Sequence, residues 1–407
     1  MNCRHCGTPL TDAVLDLGCA PPSNAYLSRE DLAAPETYYP LRLFSCSRCF
    51  LVQTEDFTRA DTLFHPDYAY FSSTSSTWCA HAARYAAMIR RRLKLGPGSF
   101  VLEVASNDGY LLKNFVEMGI PCLGVEPTAR TAEAAEHLGV PVVREFFGLS
   151  LARRLAGEGR RADLLVGNNV YAHVPAINDF TAGIREALKP EGVVTLEFPH
   201  LLRLLRLAQF DTVYHEHYSY LSLRAVRTIF ESEGLRIWHV EQLPTHGGSL
   251  RVYGCRSESA CGTNASVARI LEAESRFGLD RMEAYSCLQA RAERIKDDLL
   301  ACLIRLKRRG LRLAAYGAAA KGNTLLNFAG ISSDLIPYVC DAAPSKQHRF
   351  LPGSRLPILP VDALREDKPD VILVLPWNIV SEIVEQHSYA RQWGARFLTA
   401  VPNLKFR

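Results

Sequence analysis

The 407-residue chain lacks several features that would define a broad class of protein. It has no apolar run of the roughly 18 residues that a membrane span requires, and it begins with Met1-Asn-Cys-Arg-His-Cys6 rather than with a basic segment and an apolar core. It also lacks an excess of one charge, since 47 basic residues and 43 acidic residues give a net charge of +4. We therefore expect a cytosolic protein with neither a membrane nor a nucleic acid as its partner.

The composition is that of a globular protein, with 48% hydrophobic and 22% charged residues. The length is sufficient for two or three domains, each with its own core. Because the expected compartment is reducing, the 12 cysteines should be free thiols or metal ligands rather than disulfides.

Two Cys-x-x-Cys pairs lie near the amino terminus, Cys3 with Cys6 and Cys46 with Cys49. Four thiolates predict a closed tetrahedral zinc site of the structural kind. Unpaired reduced thiols are the alternative. A closed site has no open coordination position, so we do not expect catalysis at this metal, and His5 is interpreted as a bystander.

The stretch from Val101 to Tyr110 predicts a strand, a tight turn and the start of a helix. The small residues Ala105 and Gly109 would let a ligand approach the backbone closely. The turn lacks the Gly-x-Gly-x-x-Gly pattern of a pyrophosphate cradle. Glu126, at the end of the next strand, could accept both hydroxyls of a ribose. NAD and S-adenosylmethionine both fit this pattern, and the missing glycines favour the latter.

An alternation of apolar strands and helical segments follows, which predicts a parallel sheet with crossover helices. Asn168, Asn169 and His173 follow the third strand and should lie at the same rim as Glu126. Two later strands, joined by the turn 244–247, predict an antiparallel hairpin added to this sheet. Such a reversed strand is typical of class I methyltransferases rather than of NAD-binding domains.

The segment Thr212 to Tyr220 contains three tyrosines, two histidines and a glutamate. Interpreted as an extended strand, it would place His215 with His217 on one face and Tyr214 with Glu216 on the other. General acid-base chemistry is the favoured interpretation, because histidine titrates near neutrality. A metal site and a buried aromatic corner are the alternatives.

Three further stretches receive an interpretation. Residues 265–309 have a helical pattern and predict a connector. Residues 311–327 repeat the order of strand, glycine turn and helix, where backbone donors and Lys321 would suit a phosphate. The alternative is that the small residues serve only the close packing of strand on helix.

Tyr68 and Tyr70 lie in a polar loop that could overhang a pocket or simply pack on the surface.

Taken together, these motifs resemble the bacterial nucleotide-sugar C-methyltransferases that make branched deoxysugars. The resemblance rests on the paired Cys-x-x-Cys motifs, Glu103 to Gly109, Gly167 to His173, Tyr214 to Tyr220 and Tyr316 to Leu325. It implies an α/β protein of three domains: a zinc-binding domain (1–75), a Rossmann-like S-adenosylmethionine domain (76–260) and, after a helical connector (261–310), a second Rossmann-like domain that binds the nucleotide sugar (311–407).

The resemblance also implies roles for single residues. His217 would be the base that deprotonates the carbon beside a sugar ketone, assisted by Tyr214, Glu216 and His173. The methyl donor would be held by Glu103, Ala105, Asn107, Gly109, Glu126, Phe146, Phe147, Asn168 and Asn169. The substrate, a dTDP-linked keto-deoxysugar, would meet Tyr68, Tyr70, Lys321 and Asn323.

Three rival functions stay open at this point. The first is O- or N-methylation of a sugar or natural product, the second is an NAD-dependent sugar oxidoreductase, and the third is a zinc-bearing regulatory module. The weak net charge argues against the third.

Overall fold

A computed structural model describes residues 1–57 and 71–407, so Tyr68 and Tyr70 lie outside the described residues. The strands are β1 (Ala13–Ala20), β2 (Tyr39–Ser45), β3 (Val52–Thr54), β4 (Val101–Val104), β5 (Cys122–Val125), β6 (Val142–Val143), β7 (Ala162–Asn168), β8 (Leu188–Pro199), β9 (Ser219–Tyr220), β10 (Leu235–Leu243), β11 (Ser249–Arg256), β12 (Leu313–Tyr316), β13 (Val339–Cys340), β14 (Ile358–Leu359), β15 (Val371–Val374), β16 (Arg396–Thr399) and β17 (Lys405–Phe406). The α-helices are α1 (Ser76–Leu93), α2 (Lys113–Glu117), α3 (Ala129–His137), α4 (Leu149–Gly157), α5 (Ile177–Ala187), α6 (Leu201–Leu207), α7 (Leu223–Ser232), α8 (Ala265–Phe277), α9 (Leu288–Arg308), α10 (Ala320–Ala329), α11 (Ala363–Asp367) and α12 (Val380–Gln386).

The central sheet has seven strands in the order β10-β11-β8-β7-β4-β5-β6. The strands from β4 to β8 pair in parallel, whereas β11 runs antiparallel to both β8 and β10. All four residues of β4 are buried, because crossover helices cover both faces of the sheet. The predicted mixed α/β sheet with one reversed strand is confirmed.

The amino-terminal sheet has the order β1-β2-β3-β9 and is antiparallel throughout. Its last strand, β9, comes from the central domain, with Val52 paired to Tyr220. The zinc-binding unit therefore shares backbone hydrogen bonds with the segment that directly follows Tyr214 to His217.

The carboxyl-terminal sheet has the order β14-β13-β12-β15-β16-β17 and is parallel except for β17. Its apolar residues join those of the amino-terminal sheet in one core, with Leu43, Leu299 and Leu326 as fully buried members. The segment 265–309 is helical, as its pattern predicts, but in two helices, because Gly278, at a φ of 93°, ends α8 and α9 begins at Leu288. Within residues 1–57 and 71–407, none of the helices combines the length and the hydropathy needed to cross a bilayer.

Candidate active site

A cavity of about 500 Å³ lies at the carboxyl ends of the central strands. All three units contribute to its wall: Asn24 from the amino-terminal unit, Asn107 and His217 from the central unit, and Lys321 from the start of α10. We call it the central cavity. Its position matches the rule that open α/β sheets bind ligands beyond the carboxyl ends of their strands.

The loop after β4 forms one wall of this cavity. Ala105 and Asn107 have φ angles of 56° and 50°, so the backbone turns sharply through the left-handed region. The Glu126 carboxylate stabilises the turn, because it accepts hydrogen bonds from the backbone N–H of Asn107 at 3.0 Å and of Thr128 at 2.9 Å. The carboxylate is thus held at the cavity wall before any ligand binds.

Several buried polar atoms around this loop have no hydrogen-bond partner among the described residues. They include both amide atoms of Asn168 and Oδ1 of Asn169, two residues that line the cavity. Buried polar atoms normally find partners, so these atoms fit a ligand with amino, carboxylate and hydroxyl groups. Burial, reinforced by the neighbouring acids, raises the pKa of the Glu103 carboxyl well above its usual value.

Aromatic side chains cover the far end of the same wall. Phe147 lines the cavity and packs edge-to-face on Phe180 with ring centroids 5.2 Å apart, and Phe146 lines it while half exposed. A flat adenine fits such a surface. Together with the Glu126 carboxylate and the unpartnered polar atoms, these rings suit an adenosyl cofactor with no phosphate, which is S-adenosylmethionine.

Two of the predicted cofactor residues do not line the cavity. Glu103 is 1% exposed and lies beneath the loop. Gly109 has a φ of 76°, and a Cβ there would lie 3.1 Å from Ala135 of α3. We infer that Gly109 serves the turn and the close packing of α3 rather than a ligand contact.

The segment with the clustered histidines is a turn, so the predicted extended strand is wrong. The His217 N–H donates to the Tyr214 carbonyl at 2.9 Å, which brings residues three apart together. Tyr214 Oη lies 2.7 Å from His217 Nε2. The predicted pairing of His215 with His217 is also wrong, since His215 Nε2 contacts the carbonyls of Tyr39 and Pro40 instead.

The protonation of His217 follows from its partners. Nδ1 lies 3.1 Å from the Thr212 carbonyl. A carbonyl can only accept, so Nδ1 carries the proton and Nε2 presents a lone pair to the Tyr214 hydroxyl. Burial, with His173 adding to it, lowers the pKa of His217 well below its usual value. The imidazole is therefore a neutral base at pH 7.

His173 and Glu216 complete this part of the cavity. The His173 ring lies 4.5 Å from the His217 ring, and burial lowers the pKa of His173 to about 4. Both oxygens of the Glu216 carboxylate accept hydrogen bonds from Asn24 Nδ2, at 2.8 and 2.9 Å. The structure thus brings together the four residues for which the resemblance implies a catalytic role.

The carboxyl-terminal unit closes the cavity at the start of α10. Lys321 Nζ donates to Asn378 Oδ1 at 2.7 Å and lies 5.1 Å from the centroid of the Trp377 ring. Lys346 lines the same wall. Asn323, in contrast, is fully buried within α10 and does not line the cavity.

Sequence reasoning gave no site role to several residues of the wall, among them Asn24, Trp78 and His246. Asn24 lies in the stretch from Pro21 to Leu27, far from the other site residues in the chain. Only the docking of the amino-terminal unit brings it to Glu216, so no local pattern could have identified it.

The four cysteine Sγ atoms lie within 4.8 Å of one another, with Cys3 and Cys49 at 3.5 Å and Cys6 and Cys46 at 3.5 Å. In a tetrahedral site with Zn–S bonds of about 2.3 Å, the sulfur atoms of the four thiolates lie roughly 3.8 Å apart. The group is therefore a closed structural zinc site, as predicted. Gln53 Nε2 donates to Cys3 Sγ at 3.3 Å, which orients one ligand from outside the site.

The strand order and the cavity define a class I methyltransferase. Comparisons with known proteins agree with this assignment. Residues 3–64 match a zinc binding domain of the methyltransferases, residues 79–240 match a methyltransferase domain, and residues 244–402 match a C-methyltransferase C-terminal domain.

Similarity to a named relative extends over almost the whole chain. The C-methyltransferase NovU of Streptomyces niveus is 32% identical over 98% of this chain and 95% of its own. An uncharacterised methyltransferase of Mycobacterium leprae is 31% identical over 25% of this chain and 37% of its own. The solved magnesium protoporphyrin IX methyltransferase of Synechocystis, with bound S-adenosylmethionine, covers 44% of this chain and 79% of its own at 14% identity and a TM-score of 0.34. The chain belongs to the family of C-methyltransferases that includes NovU.

Proposed function

We propose that the protein transfers the methyl group of S-adenosylmethionine to the carbon beside the ketone of a dTDP-linked keto-deoxysugar. The observation that carries this proposal is the neutral, buried His217, whose Nε2 lone pair lies in the same cavity as the cofactor loop. An oxygen or nitrogen nucleophile needs little help from a base, whereas a carbon must first lose a proton.

The chemistry starts with substrate entry. The sugar C–H would replace the Tyr214 hydroxyl as the partner of His217 Nε2, and the hydroxyl would turn to the ketone oxygen. The C–H bond breaks, its proton goes to Nε2 and its electron pair passes to the ketone oxygen as an enolate. Tyr214 O–H then donates to that oxygen, as a donor in an oxyanion hole does.

The neighbouring groups support both states of His217. The Thr212 carbonyl accepts from Nδ1–H and stabilises the imidazolium that forms. Asn24 holds the Glu216 carboxylate in place, so that this acid can bind a sugar hydroxyl. When bound, S-adenosylmethionine supplies a sulfonium methyl group to the new carbon nucleophile.

Features of the carboxyl-terminal wall support a nucleotide sugar as the substrate. Lys321 and Lys346 put two cations on the cavity wall beside the amino end of α10, which suits an anionic diphosphate. Asn323 is fully buried, so this proposal gives it no contact with the diphosphate. Tyr68 and Tyr70 stay predictions because they lie outside the described residues.

The test is a product assay with a panel of dTDP-linked keto-deoxysugars. NMR of the product should show a new carbon-bound methyl group with the wild-type protein. His217→Asn should lower kcat by roughly 100- to 10,000-fold, the usual contribution of a general base. An O-methyl or N-methyl product, or full activity of His217→Asn, would favour the heteroatom rival and refute the proposal.

A further inference from the structure

The turn that joins β10 to β11 puts a further histidine into the central cavity. Residues Thr245–Gly247 form a tight turn with a kink at His246, whose side chain lines the cavity. Sequence reasoning assigned this turn only the role of a hairpin connection. None of the steps described so far uses His246.

The backbone of His246 occupies a conformation that most side chains avoid. Its φ is 54° and its ψ is 24°, in the left-handed region. Glycine occupies this region at the lowest cost, and histidine is among the few larger side chains that are enriched there. Backbone strain of this kind is concentrated at functional sites.

Three contacts hold the turn in place. Thr245 Oγ1 donates to Glu197 Oε1 at 2.9 Å, and Gln209 Nε2 donates to the Gly247 carbonyl at 3.0 Å. Gly247 itself packs on Trp377, where an added Cβ would lie 2.5 Å from the indole ring. The imidazole is therefore presented to the cavity by a fixed support, as a binding group should be.

The surroundings of the ring define its chemistry. Trp78 contacts it edge-to-face at 5.2 Å, and Nδ1 is buried with no hydrogen-bond partner among the described residues. Burial, with Lys321 adding to it, lowers the pKa of His246 to about 4, while Glu197 opposes the shift. At pH 7 the ring is a neutral imidazole that offers one donor and one acceptor.

We propose that His246 hydrogen-bonds an oxygen of the sugar unit and thereby sets the position of the sugar relative to His217. This assignment rests on the proposed function. The sugar is a better partner than the cofactor because the turn packs against Trp377, whose ring lies 5.1 Å from Lys321 Nζ of the carboxyl-terminal wall. Gln209, which holds the turn, also accepts a hydrogen bond from the Thr212 N–H of the catalytic turn at 3.1 Å. The cofactor loop lies instead at the ends of β4 and β5.

The test compares two variants that keep the backbone conformation, His246→Gly and His246→Asn. Lys368→Gly is the matched control, since Lys368 is exposed, has a φ of 49° and does not line the cavity. The substrate is whichever dTDP-linked keto-deoxysugar of the panel the wild type methylates fastest. Initial rates give kcat/KM, calorimetry gives the Kd of S-adenosylmethionine, and thermal unfolding gives the Tm.

His246→Gly should lower kcat/KM for the sugar roughly tenfold, the effect of one lost hydrogen bond. Its Kd for the cofactor should stay within about twofold, and its Tm should not fall, because glycine relieves the strain. His246→Asn should recover kcat/KM to within about threefold of the wild type, since it restores a donor and an acceptor at a conformation that asparagine tolerates.

Two results would overturn this assignment. One is a kcat/KM of His246→Gly within about twofold of the wild type. The other is a lower Tm together with weaker cofactor binding, which would make His246 a structural or cofactor-binding residue. Failure of the proposed function gives a different result, namely that none of the panel sugars is methylated at carbon or that His217→Asn retains activity.

Discussion

Replacing Arg4 with alanine should loosen both histidine-bearing segments of the site while the zinc ion stays bound. Arg4 lies between Cys3 and Cys6, and its side chain is 7% exposed. Its guanidinium donates to the Pro175 carbonyl at 3.1 Å, two residues after His173, and to the Thr54 carbonyl at 2.8 Å. The Thr54 hydroxyl in turn donates to the His217 carbonyl at 2.9 Å.

The size of the effect follows from these contacts. A hydrogen bond from a charged group contributes about 1.5–3 kcal/mol, so these two partly buried bonds contribute about 3–6 kcal/mol together. The ion pair with Asp56 adds little, because the Asp56 side chain is 53% exposed. A loss of about 3 kcal/mol in the free energy of local opening corresponds to hydrogen exchange on the order of 100-fold faster.

Hydrogen exchange read by mass spectrometry measures this directly. Peptides that cover residues 171–180 and 214–220 should exchange faster in Arg4→Ala. The matched control is Arg48→Ala, because Arg48 is the arginine between the two cysteines of the second Cys-x-x-Cys motif but is exposed. Metal analysis should find the wild-type zinc content in both variants.

Two results would refute this reasoning. Unchanged exchange of both peptides in Arg4→Ala would mean that the zinc unit does not hold the histidines in place. Equal acceleration in Arg4→Ala and Arg48→Ala would point to a general loosening of the zinc unit, not to the contacts with Pro175 and Thr54.

Three further predictions concern the cofactor, pH and zinc. Glu126→Gln should raise the Kd of S-adenosylmethionine at least roughly tenfold in calorimetry, because the loop after β4 loses a charged acceptor; an unchanged Kd would contradict the assignment. The pKa values of His173 and His246, each about 4, lie below the unfolded value of about 6.5. The free energy of unfolding should therefore fall between pH 6.5 and pH 4, since only the unfolded imidazoles take up protons there; urea titrations that show no fall would contradict burial of neutral rings. Cys46→Ser should lose zinc and unfold the amino-terminal unit, which circular dichroism and metal analysis would detect; retained zinc would show that three thiolates suffice.

Much of the fold could be predicted because local patterns encode it. The apolar strand Val101–Val104 with its turn, the alternation of strands and helices, and the paired Cys-x-x-Cys motifs each carry their own physical signal. The break in the helical pattern at Gly278 was missed, because a single glycine within an apolar periodicity is compatible with either a continuous or an interrupted helix.

The site was less predictable because its geometry depends on tertiary contacts. Tyr214 and His217 meet in a turn, whereas their sequence fits an extended strand equally well, since aromatic residues favour strands. His246 gave no signal in the chain beyond the glycines beside it. Its position in the cavity depends on Glu197, Gln209 and Trp377, which lie far apart in sequence.

The central claim is that His217 removes a proton from a carbon of the substrate. The most direct measurement is solvent deuterium uptake at the carbon beside the ketone, followed by NMR with S-adenosylhomocysteine in place of the methyl donor. The account predicts uptake at that carbon with the wild type and little or none with His217→Asn. Methyl transfer to carbon with no exchange in the wild type, or equal exchange in the variant, would contradict it.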